Sequence, residues 1–128
     1  VSARLATTQH QDGYWTQGWP GAEWDGPSSK PALSIDDRSQ RILATGHTLE
    51  WWALAPEEVL PERNRIIRAS QWLVATIDGM SDADVAKAYT FLTHAGRALS
   101  FWRGQYPADV YIAPRDVADE QPAKTSAE

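Results

Sequence analysis

Three stretches of the chain repeat apolar residues at helical spacing, and glycine or proline closes each of them. Ile42, Leu43, Leu49, Trp51, Trp52 and Leu54 cover more than half of a helical circumference. They predict a helix over about 37–55, buried on most of its sides and stopped by Pro56. Ile66, Ala69, Leu73 and Ile77 make one stripe, widened by Ile67 and Trp72. A second helix is expected from Pro61, a residue suited to the first helical position, to Ile77, with Asp78-Gly79 ending it. Val85, Ala88, Leu92, Ala95, Leu99 and Trp102 follow at near-heptad spacing and predict one long third helix. Ser81 would be its N-cap, Asp84 the carboxylate of a capping box, and Gly104 with Pro107 its end. Residues 1–8 read as the last turns of a further helix, with Val1 and Leu5 at i, i+4 spacing. The fold class is all-α, built from antiparallel helical hairpins.

Between the helix end at residues 1–8 and the helix over about 37–55 runs a long loop, Gln9 to about Asp37, broken by Gly13, Gly18, Pro20, Gly21, Gly26, Pro27 and Pro31. A loop of that length in a compact domain either carries function or wraps another layer. Its Trp15, Trp19 and Trp24 favour wrapping. The tail from Pro114 to Glu128 loses its aromatics and is expected to be a mobile polar segment, leaving 1–113 as the folded part. A faint internal repeat sets Leu5-Ala6-Thr7-Thr8 with Asp12-Gly13 beside Leu73-Val74-Ala75-Thr76 with Asp78-Gly79.

Composition narrows the chemistry. Seven tryptophans against two phenylalanines mean that large amphipathic rings do the packing. A net charge of −5 with no basic stripe argues against nucleic acid as a partner. The absence of cysteine removes disulfides, thiolate metal sites and cysteine nucleophiles, and leaves the compartment open. No apolar run approaches the roughly 20 residues of a membrane span.

Gln9-His10-Gln11-Asp12-Gly13-Tyr14-Trp15 reads as Q-x-x-x-G-x-W. Glutamine can bond free backbone groups at helix ends, glycine permits φ > 0, and an indole can fold back over the corner. The motif resembles the repeat of the α/α toroids, the architecture of terpenoid cyclases, squalene cyclases among them, and of protein prenyltransferases. The resemblance implies a structural clasp at Gln9, Gly13 and Trp15, inner helices over Ser39–Ala55 and Asp82–Arg103, and an outer helix over Pro61–Ile77. It also implies that the chain, which starts inside a helix, is the C-terminal segment of a longer protein. Two departures stand out. Ile35-Asp36-Asp37 lacks the first aspartate of the D-x-D-D acid motif of squalene cyclases, and no cysteine is present for a prenyltransferase zinc site. The resemblance therefore implies a scaffold and assigns no specific activity.

Among polar residues, His47 and Glu50 share one face of the first helix at i, i+3 with Leu43, Trp51 and Leu54. His94 shares a flank with Phe91, Ala98 and Phe101 and can face the same cavity. A structural role for the pair ranks first and a catalytic acid/base role for His47, Glu50 and His94 second. Two histidines and a carboxylate as zinc ligands rank third, and neither metal nor cofactor is assigned. His10 is expected to face solvent. Tyr14, Trp15, Trp19, Trp24 and Trp51 are the candidate ligand-binding rings, weighed against the reading that the loop rings plaster the loop onto helices. The expected partners are the remainder of a longer chain, an apolar small molecule and a second copy of the chain. A non-catalytic binding module and a glycan-active toroid are the alternative functions.

Overall fold

The computed structural model describes residues 2–16 and 37–110, and these are all-helical. The order is α1 (Ser2–Thr8), α2 (Asp37–Leu54), a 3-10 turn (Glu57–Val59), α3 (Arg63–Asp78), α4 (Asp82–Lys87) and α5 (Tyr89–Gln105). Trp19, Trp24, most of the tryptophan loop and the polar tail lie outside the described residues. No helix among those described is long and apolar enough to cross a membrane.

The apolar stripes become the core. Leu5 of α1, Ile42, Leu49 and Trp52 of α2, Ile66 and Leu73 of α3, and Leu99 and Trp102 of α5 meet there with Trp15 and Val110. Three buried tryptophans keep their N–H groups satisfied, as burial demands. Trp15 donates to the Leu5 carbonyl at 2.8 Å and Trp102 to the Leu49 carbonyl at 2.9 Å. Trp52 donates to the Ser2 hydroxyl at 3.1 Å, and that hydroxyl in turn donates to the Val59 carbonyl. The Ser2 hydroxyl thus ties the start of α1 both to α2 and to the turn that follows it.

The predicted long third helix is two helices. The chain bends at Ala88, with φ −93° and ψ 8°, whose carbonyl accepts from both Phe91 N–H and Leu92 N–H. Ser81 caps α4 by accepting from the Asp84 N–H at 3.1 Å. The Asp84 carboxylate meets Arg38 of α2 at 3.1 Å, and that guanidinium, followed by Ser81, holds it below the ordinary carboxylate range. Ala88 is buried at this junction, and the Arg38–Asp84 pair links α4 to α2. Helix α3 begins at Arg63 rather than Pro61, because Glu62 is still extended with ψ 137°. The suggested repeat also differs at its two corners, since Gly13 has φ 110° whereas Gly79 has an ordinary φ of −78°.

Helix α2 is buried around more than half of its circumference, by Ser39, Ile42, Ala44, Thr45, Gly46, Thr48, Leu49 and Trp52, but three of its predicted apolar positions are not part of that face: Leu43 and Trp51 are half-buried and Leu54 is 83% exposed. The side that carries His47 and Glu50 is open.

Candidate functional site

Two constellations deserve description, a corner that orders the chain and an open face that carries ionisable groups. The corner is formed by Gln9 to Trp15. The Gly13 N–H donates to the His10 carbonyl and the His10 N–H to the Tyr14 carbonyl, each at 2.8 Å. Gly13 alone can make this turn, for two reasons. Its φ is positive, and a Cβ there would stand 2.5 Å from the Arg68 carbonyl oxygen. The Gln9 amide nitrogen donates to the Gly13 carbonyl at 2.8 Å and to the Arg65 carbonyl at 2.9 Å, bridging the corner to α3. Arg65 answers by donating to the Ala6 carbonyl at 2.6 Å. Trp15 then passes beneath α1, its indole bonded to Leu5 and set edge-on to Trp52 with ring centroids 5.4 Å apart. Its backbone N–H goes to the Thr45 hydroxyl at 3.0 Å.

These contacts decide what the corner's rings can bind. Trp15 is 1% exposed and Tyr14 is 7% exposed, so neither presents a face to a ligand. Tyr14 lies between the His10 ring, stacked at 4.3 Å, and the Arg41 guanidinium, 4.7 Å from its centroid. His10 is thus not simply solvent-facing. Its Nδ1 accepts from the Asp12 N–H at 3.1 Å while the ring covers Tyr14.

The open face lies along α2 and α5. Glu50 and His47 project from α2 because residues three apart share a side of a helix. His94 projects from α5, one residue before the point where Ala95 meets Gly46. His94 Nδ1 is 3.2 Å from Glu50 Oε1 and 3.1 Å from Oε2, and the His47 and His94 rings meet edge-on at 4.2 Å. The three residues singled out from sequence thus form one cluster. The same two helices carry apolar groups that are not fully covered: Trp51 and Phe91 are half-buried, Leu54 is exposed and Phe101 is 40% exposed. His47, though exposed as a residue, has its ring against α5. Partial desolvation, and after it the His94 ring, lower its pKa below the ordinary 6.5, while Glu50 acts in the opposite direction. Among the described residues no group of three or more histidines and carboxylates is arranged to hold a metal ion.

Beyond the cluster, Trp52, Leu60, Phe101, Trp102, Gln105 and Tyr106 line an open groove of about 280 Å³ at the C-terminal ends of α2 and α5. Phe101 lines the groove and stands seven residues beyond His94 on α5. Thr45 and Gly46 are not marked by the apolar spacing of α2. A lone glycine inside a helical pattern marks a close backbone approach often enough to have pointed to the second.

Comparison with family models, with curated proteins and with solved structures finds no match to any of them.

Proposed function

We propose that the chain is the C-terminal wall segment of an α/α toroid of the terpenoid-cyclase and prenyltransferase type. In this reading α2 and α5 are inner helices, α3 is outer, and the open α2–α5 face borders a cavity for an apolar small molecule. One observation carries the reading: each signature residue of the Q-x-x-x-G-x-W corner makes the contact its chemistry suits. Gln9 bonds two carbonyls across the corner, Gly13 takes the positive φ, and Trp15 closes over Leu5.

The distribution of exposed apolar groups supports the same reading. An amphipathic surface helix shows water a polar face. Helix α2 adds the exposed Leu54 and the half-buried Leu43 and Trp51 to the side that carries His47 and Glu50, which suits a cavity lining. A second reading, a non-catalytic module that takes a ligand or protein on this face, is favoured by the exposed Leu54 and Phe101.

The test is titration of the protein with farnesol, an apolar isoprenoid alcohol, followed by tryptophan fluorescence. Saturable quenching that Trp51→Phe diminishes is expected. Fluorescence that never saturates, or that is unaltered by Trp51→Phe, removes the cavity role.

A further inference from the structure

We propose that Glu50 and His94 form a proton-transfer pair serving an uncharged, mainly apolar molecule on the α2–α5 face, with His94 Nε2 the atom that takes the proton. The pair stands on the geometry of two helices and needs no closed ring around it. An ionised carboxylate only accepts hydrogen bonds, so Nδ1, within 3.2 Å of both Glu50 oxygens, carries the hydrogen. The neutral ring then keeps its lone pair on Nε2. A carboxylate behind an imidazole fixes the tautomer and supports the imidazolium that forms on protonation.

Placement fits that use. The Glu50 side chain is 24% exposed and that of His94 is 36% exposed, so the carboxylate is the more buried partner of the pair. The helix seam does not depend on the pair, since the buried Gly46–Ala95 contact and the Trp102 bond to Leu49 already hold it. The charged or titratable neighbours are Glu50 and His47 from α2 and the exposed Arg97 three residues along α5. Leu54, Trp51 and Phe101 supply apolar surface for the rest of the molecule, and the Glu50 charge disfavours an anion.

The step balances within substrate and pair. A C–H or O–H bond of the substrate breaks, an N–H bond forms at Nε2, and the electron pair stays on the substrate. Glu50 remains ionised beside the imidazolium, and loss of the proton to product or water restores the site. His94 is the base and Glu50 a positioning residue.

The probe is 5-nitrobenzisoxazole, which is flat, uncharged and apolar. Removal of its ring C–H proton drives N–O cleavage, in which the C–H electron pair forms the nitrile and the N–O pair stays on the ring oxygen, giving a single cyanonitrophenolate product. A saturable rate is expected that falls about a hundredfold in His94→Ala and about tenfold in Glu50→Gln. Glu50→Asp, which keeps a carboxylate, should recover part of the loss seen in Glu50→Gln. Thermal melts establish that each variant is folded. Carbethoxylation of His94 by diethylpyrocarbonate, mapped by mass spectrometry, should also slow in Glu50→Gln. A folded His94→Ala protein with an undiminished rate overturns the proposal, as does equal His94 reactivity with and without the Glu50 carboxylate. Failure of farnesol to bind would leave these rates as they are, so the two readings fail separately.

Discussion

Gly46 of α2 lies so close to Ala95 of α5 that a Cβ on Gly46 would stand 2.9 Å from the Ala95 nitrogen and 3.0 Å from its Cα. The obstacle is backbone, which cannot swing aside as a side chain can. This contact sets the distance between the two helices, and with it the reach from Glu50 to His94. Gly46→Ala should therefore cost about 1–3 kcal/mol through overpacking. Gly96, fifty residues on, makes the opposite case, because a Cβ there meets nothing within 4 Å. Gly96→Ala should stabilise by up to about 1 kcal/mol through helix propensity alone. Chemical denaturation of both variants checks the contrast, and equal signs would remove the close-approach account.

The corner offers a graded series. Gly13→Ala meets both a positive φ and the Arg68 carbonyl, so it should be the most damaging of the single changes there. Trp15→Phe keeps a ring but leaves the Leu5 carbonyl without its indole donor, for a loss of about 1–3 kcal/mol. Gln9→Ala strips donors from the Gly13 and Arg65 carbonyls and should fall in the same range. Urea midpoints give the order, and a Gly13→Ala protein as stable as the parent would contradict the φ assignment.

How much of this was legible beforehand follows from which forces act locally. The corner's local contacts were readable because Gln9, Gly13 and Trp15 stand within seven positions of one another, whereas the bond from Gln9 to Arg65 and the approach of Gly13 to Arg68 depend on where α3 packs. Ser81 was readable as an N-cap for the same reason. The His47, Glu50 and His94 meeting was readable only as a shared-face argument on each helix, since their approach depends on Gly46 and Ala95. The bend at Ala88 was hidden, because apolar spacing continues through it and nothing in the local sequence breaks the helix. Leu54 misled for a related reason: an apolar residue predicts burial, and whether a partner covers it is decided elsewhere.

Acidification should act through His47. Its folded-state pKa lies below the ordinary 6.5, so the unfolded chain binds the proton more readily. The stability it contributes is present above pH 6.5 and is lost as pH falls through the lowered folded value. Because the residue is exposed, the effect is screened and its sign is the useful observable. His47→Gln should flatten the decline in melting temperature over that window. His94→Ala removes the neighbouring ring that helps to lower the pKa, so His47, followed by NMR, should titrate nearer its ordinary value. An unchanged His47 titration in His94→Ala would show that the two rings do not interact as placed.

Two buried hydroxyls on facing helices separate a polar group that is used from one that is not. The Thr45 hydroxyl accepts the Trp15 backbone N–H at 3.0 Å in a fully buried setting. Thr45→Val keeps the shape and strands that N–H, which should cost about 1–3 kcal/mol. Ser70 of α3 is equally buried, but its Oγ has no hydrogen-bond partner. A desolvated hydroxyl without a partner is a net cost to the fold, so Ser70→Ala should be neutral or stabilising by about 1 kcal/mol. The comparison is decisive because both changes remove one oxygen from the same core. If Ser70→Ala proves as costly as Thr45→Val, its Oγ makes a bond in solution and the accounting around α3 must be revised.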